Sequence, residues 1–162
     1  MKGRIELPLI VALTAADQGT KFVAERMLPF HEAVPVLPFL SLFRTWNEGI
    51  AFSLLTFMGD KALIALTVAI MAFVAWLWHQ AHVDRLWGRV GFTLVFGGAL
   101  GNLIDRIAWG HVVDFILVHT ANWSFAVFNL ADSFITVGAA LIIVDEFVEV
   151  RRGRRQETGD SG

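Results

Sequence analysis

The sequence predicts an all-α integral membrane protein with four transmembrane helices. Hydrophobic residues make up 56% of its 162 residues and charged residues only 17%, whereas a soluble domain carries about 25% charged residues. The apolar residues are also grouped into four stretches, each close to the roughly 20 residues that cross a bilayer. At this length we expect one membrane domain, residues 1–150, followed by a charged and disordered cytoplasmic tail, residues 151–162.

The four predicted spans are residues 7–28, 62–78, 90–107 and 124–148. The second contains no charged residue and is the clearest. The first is interrupted by Asp17 and Lys21, and the fourth by Asp132, so hydropathy alone predicts these two spans less strongly.

Lysine and arginine predict the orientation, because they concentrate in cytoplasmic loops. With the N-terminus in the cytoplasm, eight of the 13 lie on the inner side and five in the outer half or within spans. We therefore expect both termini in the cytoplasm and the loop 29–60 outside. That loop contains three prolines, which disfavour a long helix at its start. Its aromatic run 39–46 predicts a short strand.

Two function classes are disfavoured by composition. The chain has no cysteine, which excludes disulfides, thiolate metal sites and a cysteine nucleophile. Its net charge of −2 gives no reason to expect nucleic-acid binding.

The third span carries small and polar residues at helical spacing. Gly97 and Gly101 form a small-xxx-small pattern, which is typical of close helix packing in membranes. Gly98 and Asn102 begin a polar stripe beside them that continues to Arg106. The residues leave open whether Arg106 pairs with Asp105 or Asp17, or holds a substrate carbonyl.

Asp17 and Lys21 are four residues apart, so they share one face of the first helix. They are either a buried ion pair that makes two charges tolerable in lipid, or a pair that orients a neighbouring site. Both interpretations remain open at the level of the residues.

Asp114 and Asp132 are the candidate chemical groups, because ionisable residues inside a membrane protein are costly and usually functional. Both have apolar neighbours and no adjacent basic residue. Asn129, Asp132 and Thr136 share one helix face, which must look into the protein. Two carboxylates held close share a proton, so one activates water while the other protonates a carbonyl. This predicts peptide hydrolysis without metal or covalent intermediate.

Three alternatives compete with this interpretation. His111, Asp114 and His119 could ligate a metal, although their spacing fits neither helical zinc motif. A proton-coupled transporter would use the same acids, but such proteins tend to contain repeats and this sequence has none.

A serine–lysine nucleophile pair is the third alternative. It would combine Lys21 with Ser53, Ser133 or Thr20. Asp17, one helical turn from Lys21, competes for the same ammonium group.

Five blocks in order carry a resemblance to a known family. They are residues 17–21 (DQGTK), 47–53 (NEGIAFS), 97–106 (GGALGNLIDR), 112–115 (VVDF) and 128–133 (FNLADS). With the four-span layout, they make the chain resemble the lipoprotein signal peptidase, or signal peptidase II, family along nearly its whole length. Ile50 is bulkier than the small residue expected at its position.

The resemblance implies an aspartyl endopeptidase of the bacterial inner membrane, acting towards the periplasmic side. Such enzymes remove the signal peptide of a prolipoprotein just before a diacylglyceryl-modified cysteine. It implies Asp114 and Asp132 as the catalytic pair and a small β-cradle around Asn47 in the outer loop. The positions implied to line or support the site are Asp17, Lys21, Asn47, Gly98, Asn102, Arg106, Asn129 and Ala131. No cofactor or metal is expected; the expected partners are prolipoprotein substrates and membrane lipid, and a monomer is expected.

Overall fold

A computed structural model describes residues 5–49, 60–80 and 85–159. Within these ranges the chain forms four helices and three strands. The helices are α1 (Glu6–Met27), α2 (Asp60–Gln80), α3 (Leu86–Trp109) and α4 (Leu130–Gly159). The strands are β1 (Ala33–Leu37), β2 (Leu40–Asn47) and β3 (Val112–Val118). Part of the outer loop, including Ile50 and Ser53, lies outside the described residues.

The first three helices agree with the predicted spans to within a few residues. Among the described residues, Lys61–Gln80 and Leu86–Trp109 are long and apolar enough to cross a membrane. The two stretches predicted less strongly, those that form α1 and α4, do not pass that test. The mostly helical architecture is therefore confirmed.

The predicted start of the fourth helix at residue 124 is wrong, because α4 begins at Leu130. The preceding segment is held extended along β3. The Phe125 N–H donates to the carbonyl of Val118 at 2.8 Å, and the Phe128 N–H donates to that of Ile116 at 3.0 Å. Backbone groups already paired with a strand are not free to form helical hydrogen bonds.

The far end of α4 also differs from the prediction. The helix continues through Gly159, so the expected disorder from residue 151 is wrong as far as that residue. Arginine, glutamine and glutamate, which dominate this stretch, are good helix formers.

The three strands form one antiparallel sheet in the order β1-β2-β3. The strand predicted at 39–46 is confirmed as β2. Strand β3 was not predicted, because no secondary structure was assigned to the residues between the third and fourth predicted spans. Its register places Asp114 opposite Thr45 and Val112 opposite Asn47, so the sheet brings Asn47 close to Asp114.

Helix α3 contacts the other three helices, and its glycines allow the backbones to approach closely. Gly97 packs against Leu13 and Gly101 against Asp17, both on α1. Gly98 packs against Ala131 on α4. A Cβ at any of these three glycines would collide with its neighbour, so the predicted close packing is confirmed.

Candidate active site

The two predicted acids come from different elements and meet at Asn129. Asp114 lies on β3, and its side chain is almost entirely buried, with 2% exposure. Asp132 lies in the first turn of α4 and is half-buried. Asn129, which immediately precedes α4, is fully buried and hydrogen-bonds to both acids.

Both carboxylate oxygens of Asp114 accept hydrogen bonds from side-chain amides. Its Oδ1 accepts from Asn129 Nδ2 at 2.7 Å. Its Oδ2 accepts from Asn47 Nδ2 at 2.9 Å. The strand and the helix start therefore hold this carboxylate between two donors.

Asp132 is held just as fully, by a reciprocal cap at the start of α4. Its Oδ2 accepts from the Asn129 backbone N–H at 3.1 Å, while Asn129 Oδ1 accepts from the Asp132 N–H at 3.0 Å. This is the geometry of a capping box, which satisfies two helix-terminal donors. The remaining oxygen, Oδ1, accepts from Asn102 Nδ2 at 2.8 Å.

The environment of Asp114 makes this carboxyl easier to protonate than an ordinary aspartate. Burial, chiefly, and the nearby charge of Asp132 raise the pKa of Asp114 to about 6, against the hydrogen bonds from Asn47 and Asn129 and the charge of Lys21, which lower it. A raised pKa on one of two neighbouring acids is the arrangement that separates a general acid from a general base.

The predicted pair of Asp17 and Lys21 is buried and forms a salt bridge of 2.8 Å. The Lys21 ammonium also lies 2.8 Å from Asp105 Oδ2 and donates to Asn102 Oδ1 at 2.8 Å. Asp17 Oδ1 accepts from the backbone N–H of Ala131 at 2.9 Å. The pair is thus connected to Asp132 from two directions.

Two supporting residues were missed by the sequence analysis. Asp105 was named only within the polar stripe and as a possible partner of Arg106, and Gln18 appeared only within a sequence block. Gln18 Nε2 donates to Asp105 Oδ1 at 2.7 Å and to the Gly101 carbonyl at 3.1 Å. The three-residue step from Asn102 to Asp105 places both on one helix face, and this spacing could have identified Asp105.

Gly98 and Ala131 support the site by their small size. The Ala131 side chain is fully buried. The backbone carbonyl oxygen of Ala131 would collide with a Cβ added at residue 98. A side chain at residue 98 would push α4, and Asp132 with it, away from α3.

Arg106 lies half-buried in the last turn of α3. Among the described residues it forms no ion pair or hydrogen bond through its side chain, so neither Asp105 nor Asp17 is its partner; Lys21 binds both. Its guanidinium interacts electrostatically with Asp132 and Asp114.

The alternative sites are not assembled in the described part of the chain. His119 hydrogen-bonds to Ser41 at 2.8 Å, and the ring of His111 stacks on Trp46. No group of three His, Asp or Glu side chains there is arranged to hold a metal ion.

The hydroxyls proposed as nucleophiles are also engaged where the structure describes them. The Thr20 hydroxyl donates to the Asp17 carbonyl at 2.8 Å, and that of Ser133 to the Asn129 carbonyl at 3.2 Å. Neither points at Lys21, whose ammonium contacts Asp17, Asp105 and Asn102.

Comparison with known proteins decides the family. The sequence profile described as signal peptidase (SPase) II matches residues 9–148. The chain belongs to the signal peptidase II family. Two relatives named lipoprotein signal peptidase are each 52% identical to it. The one from Sinorhizobium fredii aligns over 93% of this chain and 90% of its own, and that from Brucella ovis over 90% and 91%.

Solved structures show a similar fold in bacterial membrane enzymes. Two structures, both described as bacterial membrane enzymes, superpose with TM-scores of 0.81 and 0.78. The first is 29% identical and covers 93% of this chain and 92% of its own; the second is 31% identical and covers 89% and 93%. The chain is therefore a peptidase and a membrane protein, and the transporter interpretation is set aside.

Proposed function

We propose that this signal peptidase II family member is an aspartyl endopeptidase that removes the signal peptide from prolipoproteins in the bacterial inner membrane. Cleavage would occur just before the diacylglyceryl-modified cysteine. The single observation that carries the chemistry is the convergence of Asp114 and Asp132 on Asn129. The names of the relatives support the substrate class.

The two acids have different roles in the reaction, which follow from their different environments. Asp114, with its raised pKa, carries the proton, and Asp132 is the ionised member. Asp132 removes a proton from a water molecule as that water attacks the scissile carbonyl, and Asp114 donates its proton to the carbonyl oxygen. The resulting tetrahedral diol collapses when the peptide nitrogen takes the proton held by Asp132 and leaves, while one diol hydroxyl returns its proton to Asp114. No covalent enzyme intermediate forms.

The membrane layout belongs to the same proposal. We propose four spans within residues 1–150, both termini in the cytoplasm and the charged tail 151–162 on the same side. The C-terminal part of α3, the first turn of α4 and the sheet lie together at the active site, which we place towards the periplasm. Membrane lipid and the lipidated precursor are the proposed partners, and the enzyme acts as a monomer.

Arg106 fits a role towards substrate. It carries a positive charge near both acids, and its side chain forms no hydrogen bond or ion pair within the described residues. A guanidinium presents donors in a fixed plane, which suits a peptide carbonyl. We propose that it holds a carbonyl of the bound precursor.

The decisive experiment substitutes each acid in turn with asparagine. Asp114→Asn and Asp132→Asn should each abolish cleavage of a labelled lipidated precursor, while the proteins still insert and still bind the uncut precursor. The double variant should be no worse than either single one, because residues that act as one unit lose nothing further. Glu149→Gln, an exposed acid near the other end of α4, is the matched control and should keep wild-type turnover. Turnover by either single variant in folded protein would overturn the proposal.

Metal dependence is a separate test of the same chemistry. Two acids and a water molecule suffice, so EDTA treatment should leave cleavage unchanged. Activity that is lost with EDTA and restored by zinc would instead support the site at His111, Asp114 and His119.

A further inference from the structure

Three asparagine side chains donate hydrogen bonds to the two acids. They are Asn47, Asn102 and Asn129. A side-chain amide has one donor end and one acceptor end. With its nitrogen towards a carboxylate it stabilises the ionised form, and with its oxygen there it repels that form. The direction in which each amide points therefore affects the chemistry of the pair.

Two of these amides are oriented by backbone N–H groups, which can only donate. The oxygen of Asn47 accepts from the Gly49 N–H at 2.9 Å. The oxygen of Asn129 accepts from the Asp132 N–H at 3.0 Å. In both cases the amide nitrogen is left to face Asp114.

The third amide, Asn102, is oriented by a side chain from another helix. Its oxygen accepts from the Lys21 ammonium at 2.8 Å and, more weakly, from Asn129 Nδ2 at 3.2 Å. An ammonium group can only donate, and charge-assisted hydrogen bonds are about twice as strong as neutral ones. The Asn102 nitrogen is thereby turned towards Asp132 Oδ1, 2.8 Å away.

Lys21 is itself held in place and has no capacity left for substrate. Its side chain is 4% exposed, and its ammonium lies 2.8 Å from each of three acceptors, on Asp17, Asp105 and Asn102. The contact with Asn102 is a hydrogen bond, and those with the two carboxylates are ion pairs. With its ammonium buried against these three acceptors, Lys21 is not placed to act as nucleophile or base.

We infer that Lys21 is a positioning residue, which holds the Asn102 amide with its nitrogen towards Asp132 and so fixes that carboxylate in the position from which it activates water. This inference rests on the proposed function. If the Asp17–Lys21 ion pair were only structural, a variant that folds without it would have normal activity. A positioning role for Lys21 predicts instead that such a variant folds but turns over slowly.

Charge-balanced double variants separate these two roles. Lys21→Met alone removes a positive charge and leaves the buried carboxylates of Asp17 and Asp105 without a cationic partner, so it should lower the yield of folded protein. Adding Asp17→Asn restores the charge balance and leaves the Asn102 oxygen without its cationic donor. Lys21→Met with Asp105→Asn is a second balanced pair, which keeps Asp17 bonded to the Ala131 N–H. The corresponding single Asn variants serve as controls.

The readouts are folded yield, kcat, KM and the pH profile of kcat/KM on a lipidated precursor peptide. In the balanced variants we expect folded protein, a fall in kcat of about 10- to 100-fold and a KM within about twofold of the wild-type value. A loss of this size is typical when a residue that orients a functional side chain is removed. The acidic limb should move to higher pH, because a pair of acids that has lost a hydrogen-bond donor takes up its second proton more easily. The other titratable groups of this site are Asp114, Asp105 and Arg106; the variants with Asp17→Asn leave all three in place.

Two outcomes would overturn the inference. The first is a balanced variant that folds and has wild-type kcat and an unshifted acidic limb. The second is failure of both balanced variants to fold when the Asp17→Asn and Asp105→Asn single variants do fold, which would make the role of Lys21 structural. Failure of the proposed function itself is recognised separately, by turnover in Asp132→Asn with Lys21 intact.

Discussion

At the scale of single residues, the site depends on amides as much as on acids. Asn129 contacts both carboxylates and caps the helix that carries one of them. Asp132 therefore combines a structural role, as the capping-box acid of α4, with the proposed chemistry. The other acid, Asp114, has its protonation set by burial against the hydrogen bonds that Asn47 and Asn129 donate.

Removing the hydrogen bond that Asn47 donates to Asp114 should shift the pH dependence of activity. Activity should fall as pH rises through about 6, where Asp114 loses its proton. The hydrogen bond from Asn47 lowers that pKa, so Asn47→Leu should move the alkaline limb of kcat/KM to higher pH. We expect about one pH unit, since a hydrogen bond to a charged group is worth about 1.5 kcal/mol or more and one unit corresponds to about 1.4 kcal/mol.

Thr45→Val is the matched control for this shift. Thr45 lies opposite Asp114 in the sheet, but its hydroxyl hydrogen-bonds to His31 and not to either acid. Its alkaline limb should coincide with that of the wild type. A limb that stays in place in Asn47→Leu, or moves down, would contradict the assignment of the proton to Asp114.

At the scale of secondary-structure elements, close contact between helices brings the polar groups together. Gly98 lets α3 approach α4 at Ala131, and Gly101 lets it approach α1 at Asp17. Asn102, one turn beyond Gly98, can then reach both Lys21 and Asp132. Larger residues on this face would separate the helices and break these hydrogen bonds.

Gly98→Ala tests this packing. The added methyl group would meet the backbone carbonyl of Ala131, which cannot rotate away. We expect a loss of about 1–3 kcal/mol in stability, measured as a lower melting temperature in detergent, together with reduced turnover.

Gly19→Ala provides the comparison on α1. Gly19 is exposed, and nothing lies within 4 Å of its added Cβ. It should be neutral or stabilising by up to about 1 kcal/mol, because alanine is the better helix former. Equal melting temperatures for Gly98→Ala and the wild type would show that the helices do not approach as closely as described.

At the scale of the whole molecule, the sheet is attached to the helices at the end where the acids lie. Trp46 Nε1 on β2 donates to Glu25 Oε1 near the end of α1, at 2.9 Å. The Asn47 side chain, on the same strand, reaches Asp114. Sheet and helices therefore complete one site, and the substrate must approach that end of the protein.

The proposed topology is tested by labelling, for which the absence of natural cysteine is an advantage. Single cysteines at His31 and Trp123, both exposed, should react with an impermeant thiol reagent added to intact cells. A cysteine at Arg154 should react only after the membrane is permeabilised. Labelling of Arg154→Cys in intact cells would contradict the proposed orientation.

The sequence by itself determined what depends on local spacing and composition. Apolar stretches identified the helices, because length and hydropathy are properties of a segment. The four-residue step from Asp17 to Lys21 identified their salt bridge, since helix geometry alone brings such residues together. The isolation of Asp114 and Asp132 among apolar residues marked the candidate acids, and family resemblance supplied most of the residues around them.

Only the tertiary structure decided how these parts meet. Lys21 and Asn102 are 81 residues apart, and Asp17 and the Ala131 N–H 114 apart, so neither contact follows from helical periodicity. That Asp105 pairs with Lys21 and not with its neighbour Arg106 depends on how α3 is rotated against α1. The late start of α4 depends on strand β3, because the segment before the helix forms backbone hydrogen bonds with that strand. Such contacts are settled by packing between distant segments, which local sequence does not encode.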